Sequence, residues 1–220
     1  MEIKKIPNIQ LENIGTITKP HRAIKGFIEL PCWNGYFLVE ETNYVMKTKV
    51  VTNGRIELWV DGMINADKSF QIDQEQTNAY FFLVEHQQRV KQSILDELKK
   101  KLPDLLSNEY ASWDHENGGF PSVSDLTPEF DFKNYLGPSS INIEEDVKDE
   151  IAYIKWHFEC LWDPEHGFEV ITHKDRVIDL SQETDIFKIN KDNGTYEELE
   201  KELKNKVWKV TKKKSWWKFW

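Results

Sequence analysis

Between Tyr153 and Leu180 the chain reads YIKWHFECLWDPEHGFEVITHKDRVIDL, and its side-chain character changes with a period of two. In an extended chain Trp156, Phe158, Cys160 and Trp162 share one face, while His157, Glu159 and Leu161 share the other. The return run sets Phe168 and Val170 against Glu169 and Ile171. Lys174-Asp175 then marks a second turn before Arg176 to Leu180. A period of two over this length predicts an antiparallel sheet of three strands, extended on one side by Ile141 to Ile143. Trp162, Asp163, Glu165, His166 and Gly167 fall at the first turn. There Asp163 is expected to accept backbone N–H bonds, Pro164 to preset φ, and Gly167 to take a conformation that other residues resist. That leaves Glu165 and His166 at the tip.

The first third also reads as β-structure, with apolar-rich runs around Phe27, Glu29, Tyr36, Leu38 and Glu40 broken at Pro31 and Asn34-Gly35. Asn53-Gly54 between Tyr44–Val51 and Arg55–Val60 predicts a hairpin, because both residues tolerate positive φ. Residues 74–102 change the period. Leu83, Val90, Ile94, Leu98 and Leu102 recur at helical spacing, Asp73 can cap the first turn, and Asp96/Lys100 and Glu97/Lys101 form i, i+4 pairs. Pro103 is compatible with the end of this helix. Residues 104–140, rich in Gly, Pro, Ser and Asn yet carrying Trp113, Phe120, Phe130, Phe132 and Tyr135, predict an ordered loop laid over the core. Within it WDHENGGF (113–120) shares a Trp-Asp-x-Glu-x-Gly pattern with WDPEHGF (162–168), which reads as a coincidence of turn residues. Thr195 with Glu198 gives a capping-box signature for a C-terminal helix.

These segments predict an α+β fold, antiparallel β-meanders with one long central helix and a C-terminal helix. Its expected organisation is a single domain over 1–190, built from a β-rich part (1–72), the helix (74–102), the loop (104–140) and an antiparallel sheet (141–188). Residues 191–220 follow as a helix and a Lys/Trp-rich tail. With 12 Phe, 7 Tyr and 9 Trp the chain has ample aromatic surface to bury. No segment approaches the roughly 18 apolar residues that span a bilayer, and the first residues hold no signal-like apolar core. The expected location is the cytoplasm, with peripheral contact to the inner membrane left open. Cys32 and Cys160 are then expected as reduced thiols.

Net charge is -9, but residues 206–220, KVWKVTKKKSWWKFW, hold six lysines and no acid. The remainder carries 23 basic against 38 acidic residues, a net charge of -15. Such a body repels phosphate backbones and attracts basic partners, which argues against nucleic acid. In the tail, Trp216, Trp217, Phe219 and Trp220 follow Lys212 to Lys214. They suit packing on the body, contact with a partner, or a membrane interface where rings sit at headgroup level.

Familiar catalytic signatures are absent from the sequence: no Gly-rich phosphate loop, H-E-x-x-H, C-x-x-C or G-x-S-x-G. Cys160, Asp163, His166 and His173 are of ligand type, but alternation turns Cys160 into an aromatic, core-facing row, where a thiol behaves as a small hydrophobe. No metal and no cofactor are expected. Asp163, Glu165 and His166 could serve acid–base chemistry, against which stands their reading as turn and tip.

The string Phe158-Glu159-Cys160-x-Trp162-Asp163-x-Glu165-His166-Gly167, followed by His173-x-Asp175-Arg176-Val177, resembles a recurring block of DUF6985, a bacterial family of uncharacterised domains. Gln76-x-x-Ala79-Tyr80, opening the long helix, resembles its other block. The similarity spans residues 74–187 and brings no activity or catalytic residues with it. Where the family commonly has a Gly after the third strand, this chain has Asp179-Leu180-Ser181. In size and genomic habit such domains resemble small acidic immunity proteins.

The reading that follows is a non-enzymatic protein-binding domain with a basic partner, its specific form an immunity-type protein masking a basic toxin. Glu165, His166, Asp114 and Glu116 are the candidate contacts, and Trp162, Asp163 and Gly167 the structural turn. The alternative is a hydrolase, metal-assisted or not, using Asp163, Glu165 and His166.

Overall fold

The computed structural model describes residues 5–7, 9–16, 19–42, 46–61, 72–106, 127 and 129–201. They divide into two compact units, Met1–Thr184 and Asp185–Trp220. In the first, a seven-stranded sheet runs in the order β1-β2-β5-β6-β7-β8-β9, and β3 and β4 form a separate two-stranded sheet. The strands are β1 (Ile9–Thr16), β2 (Lys19–Glu29), β3 (Phe37–Thr42), β4 (Met46–Val51), β5 (Arg55–Val60), β6 (Leu136–Lys148), β7 (Ile151–Cys160), β8 (Asp163–His173) and β9 (Arg176–Ser181). The helix α1 (Gln74–Leu106) connects β5 to β6. In the second unit α2 (Phe187–Asn193) ends at Gly194, whose φ of 85° is the left-handed cap that favours glycine.

The fold is mixed α+β, and it departs from a set of antiparallel meanders at one place. β5 and β6 pair in parallel, from Glu57 opposite Ser140 to Val60 opposite Ile143, while every other neighbour in the large sheet is antiparallel. A parallel pair needs a long crossover, and α1 supplies it. Three local features differ from expectation. Asn53-Gly54 does not close a hairpin, since β4 pairs with β3 and β5 with β2. Gly54 has the expected positive φ of 83°, but Thr52 N–H bonds Tyr36 O at 2.8 Å while Gly54 O accepts Leu30 N–H at 2.7 Å. The corner therefore passes the chain from one sheet to the other. Pro103 does not end α1, because Leu102 and Leu105 on either side are buried and Pro103 faces solvent. Packing of that face holds the helix beyond the missing N–H. Lys100 pairs with Glu97 at 2.9 Å rather than with Asp96.

The core lies between α1 and one face of the large sheet. Ile56, Leu58, Ile141, Ile143, Trp156, Phe158, Phe168 and Val170 are buried there with Leu83, Val90, Ile94, Leu98 and Leu102 of α1. Phe158 and Phe168, opposite each other on β7 and β8, stack at 4.8 Å, and Trp33 meets the edge of Phe158 at 5.3 Å. Trp33 belongs to a 3-10 turn (Pro31–Trp33) that docks on α1 where the helix leaves helical geometry at His86 (φ -113°, ψ 19°). The Gln87 amide donates to Val84 O within the kink at 3.1 Å and accepts Cys32 N–H at 2.9 Å. One side chain thus satisfies the kinked helix and holds the turn against it.

At the start of α1 another amide, fully buried, has a larger task. Gln76 Oε1 accepts Asp73 N–H at 3.1 Å, the back half of a capping box. Its Nε2 donates to Asp61 O at the end of β5 and to Glu144 O of β6 at 3.2 Å. Gln76 is 2% exposed, so these groups have no water to fall back on. Replacing Gln76 by Ala is expected to cost on the order of 3 kcal/mol, several buried polar groups losing their partner together. Urea unfolding checks this, with Gln74→Ala, one turn-position away on the exposed side, expected within about 0.5 kcal/mol of wild type. Equal small effects would show that the staple carries no weight.

Candidate functional site

The residues Ile143 to Ile151, IEEDVKDEI, break the alternation of the sheet. Ile143 faces Ile154 but Val147 faces Ala152, so the β6–β7 ladder carries two extra residues on β6. Such a bulge re-aims side chains and raises local twist. Glu144, Glu145 and Asp146 fill it, and the two-residue turn beyond is Asp149-Glu150. Both turn residues have positive φ, 49° and 61°, a conformation that favours Asn-Gly and that other residues adopt at a cost. Asn78 Nδ2 of α1 holds the turn through Glu150 O at 2.9 Å. Five acids in seven positions thus stand at one end of the sheet, joined by Asp61 from the end of β5. Against them Lys174 approaches Asp149 at 3.8 Å.

Glu144 is 8% exposed. Burial first, then the charge of Asp61 and a hydrogen bond with it, push its carboxyl up to about 8, with Lys155 pulling the other way and Asp146 adding to the rise. Burial also raises the Asp146 carboxyl. Lys155 projects from β7 on the face opposite the core and reaches Glu169 of β8 at 2.8 Å. Glu169 also takes His157 Nδ1 at 3.2 Å and the N–H and hydroxyl of Thr184 at 2.9 and 2.8 Å. Burial alone would raise this carboxyl; the bonds from His157, Lys155 and Thr184 outweigh it and hold Glu169 well below the usual carboxylate range.

The residues singled out at the first turn lie at the other end of β7. The hairpin turn itself is Leu161-Trp162, since Cys160 faces Asp163. Phe158 faces Phe168, so Asp163 to Gly167 form a bulge at the start of β8 rather than a tip. The carboxylate of Asp163 shapes this bulge, binding within its own strand and to Gln182 beyond β9. Its Oδ1 accepts His166 N–H at 3.0 Å and contacts His166 Nδ1 at 3.0 Å, and its Oδ2 accepts Gln182 Nε2 at 2.6 Å. Gly167 has φ 66°, and a Cβ there would lie 2.0 Å from Phe158 O. Trp162 and Cys160 are buried, and burial raises the Cys160 thiol well above its ordinary value. Glu165 lies within the bulge, and the His166 side chain is half exposed. Asp114, Glu116, Trp216, Trp217, Phe219 and Trp220 lie outside the described residues. His173 is buried at the far end of β8, its Nε2 at 2.8 Å from Lys148 O, so it does not join Asp163 and His166. Among the described residues no group of three or more His, Cys, Asp or Glu is placed to hold a metal ion, and no helix is long and apolar enough to cross a membrane.

Sequence reading did not single out the acidic bulge or Gln76's staple. The signal for the first was available: alternation fails between Ile143 and Val147, where acids concentrate.

Fold and site define a mixed α+β domain, one sheet backed by a long helix, with a buried Glu144 and a half-buried Asp61 where the parallel pairing of β5 and β6 ends. The chain belongs to the family described as Domain of unknown function (DUF6985), whose family model matches residues 28–187. The match reaches back beyond the long helix to take in the end of β2, the β3–β4 hairpin and β5. No curated protein and no solved structure matches the chain.

Glu169 is the clearest acid-sensitive group. A carboxyl held low contributes stability above its unfolded value of about 4.5, and that contribution drains as pH falls toward the folded value. Wild type is therefore expected to melt above Glu169→Gln at pH 7, with the gap narrowing between pH 4.5 and 3. A gap that stays constant on acidification would contradict the assignment.

Proposed function

We propose that this chain is a non-enzymatic protein-binding domain whose acidic end, Glu144 to Glu150 with Asp61, receives a basic partner. The observation that supports this most is the strained turn. Asp149 and Glu150 occupy left-handed positions at which Asn-Gly would fold without penalty, and strain of this kind concentrates where function requires the side chain. The turn is also fixed from behind by Asn78, so its charges are presented on a preorganised frame. An excess of acid on the body favours encounter with a basic protein. An immunity-type protein masking a basic toxin is the specific form of this reading.

The bulge at Asp163 to Gly167 is a second contact candidate through Glu165 and His166. It lies at the other end of the ten-residue β7, roughly 30 Å away, so the two surfaces separate in one experiment. A hydrolase built on Asp163, Glu165 and His166 has less support, because both Asp163 oxygens are engaged in holding the bulge.

Replacing Asp149-Glu150 by Asn-Gly is expected to stabilise the domain by roughly 1 kcal/mol, while weakening a stoichiometric basic partner captured from the native host by tenfold or more. Glu165→Lys is expected to leave that affinity within about twofold. Calorimetry with the captured partner and urea unfolding give the two readouts. Undiminished binding by the Asn-Gly variant would overturn the acidic end as the interface, and loss with Glu165→Lys alone would move it to the β8 bulge.

A further inference from the structure

The acidic end contains a device that does not depend on any partner. Asp61 and Glu144 directly follow Val60 and Ile143, the last parallel pair of β5 and β6, and the backbone carbonyls of these same two residues are tied together by Gln76. Asp61 N–H also bonds Ile143 O at 3.0 Å. The main chains that carry the two carboxyl groups cannot separate without breaking bonds that anchor the first turn of α1, and the Glu144 side chain is buried against them. Burial of Glu144 and the negative charge of Asp61 beside it both favour the protonated Glu144 carboxyl.

We propose that the Asp61–Glu144 pair is a proton-operated clamp on the N-terminus of α1, closed while Glu144 carries its proton and loosened when Glu144 ionises. The charged groups around Glu144 are Asp61 from β5, Asp146 on β6 and Lys155 from β7. Lys155 is itself committed to Glu169 of β8. From α1 comes the neutral amide of Gln76, with the acids Asp73 and Glu75 at the helix start. Those acids favour the helix dipole but add negative charge to the neighbourhood. When Glu144 loses its proton, Gln76 still holds the two main chains together while their carboxylates repel, and relief comes from opening the first turn.

The sign follows from linkage. Glu144 keeps its proton in the closed state up to about 8 and in an open state only up to about 4.5. The clamp is therefore fully effective below the lower value, weakens as pH rises between the two, and is lost above the upper one.

Hydrogen exchange of the full chain at pH 6 and pH 8.5 tests this, with protection factors corrected for the intrinsic pH dependence of amide exchange. The amides of Thr77 to Tyr80 are expected to lose about tenfold or more in protection across this range, while those of Ile94 to Leu98 in the middle of α1 stay level. Glu144→Gln, which keeps a donor facing Asp61 and cannot ionise, is expected to abolish the loss. Asp61→Asn, the same change from the other side, is expected to reduce it strongly, so the proposal remains testable if one variant does not fold. Glu145→Gln, a neighbouring exposed carboxyl, is expected to behave as wild type. A wild-type chain with no pH dependence at Thr77 to Tyr80 would overturn the proposal, as would the same loss in Glu144→Gln as in wild type.

Discussion

Everything in the sheet depends on four cross-strand neighbours, Glu57/Ser140 to Val60/Ile143, that join β5 to β6 in parallel. On one side of this seam lie β1, β2 and β5; on the other, β6 to β9. In the first group β5 joins β2 across the intervening β3–β4 hairpin, and in the second each strand pairs with its sequence neighbour through a short turn. The seam makes them one surface wide enough for a 33-residue helix, and that helix is the covalent crossover a parallel pair requires. Gln76 closes the seam where helix and strands meet. Its amide serves a helix cap and the main chains of both strands at once, which is a physical reason for glutamine at this place. Glutamate could accept from the cap but could not donate to the two carbonyls.

The same seam creates the acidic end. Asp61 and Glu144 follow the last parallel pair, Val60 and Ile143, side by side because the strands run in the same direction. The bulge that follows Ile143 then turns three successive acids out of the ladder. Core and charge are separated by the pleat of β7. Trp156 and Phe158 face α1, while Lys155 and His157 face away and gather on Glu169. At the opposite end, Asp163 and Gly167 shape a second bulge whose bonds are mostly internal. The strongest sequence signature of the chain thus marks a backbone device, and the ionisable pair with the largest consequence lies where no motif points.

What the sequence made legible was local. The period of two from Tyr153 to Leu180 marks strands because each side chain there has only two faces to choose between, and Leu83 to Leu102 mark a helix for the corresponding reason. The parallel seam was not legible: Glu57 and Ser140 are far apart along the chain, and neither segment carries a sign of the other. Asn53-Gly54 illustrates the limit. Its backbone geometry follows from residue type, but whether the strands on either side pair with each other is decided by Leu30 and Tyr36, which compete for the same corner. Pro103 shows packing overriding propensity, since Leu102 and Leu105 are buried on either side of it. The acidic bulge was hidden by its own irregularity, because a pattern search rewards regular alternation and this segment gains its form by breaking it.

The central claim is that the two halves of the sheet form one cooperative unit through the β5–β6 seam. Hydrogen exchange across a urea series measures it directly, following peptides from β2 and β5 beside peptides from β7 and β8. One unit predicts a common midpoint and slope for both sets, as expected for two-state unfolding of a single core. Loss of protection in β2 and β5 at clearly lower urea, with β7 and β8 still protected, would show that the seam does not bind the halves together.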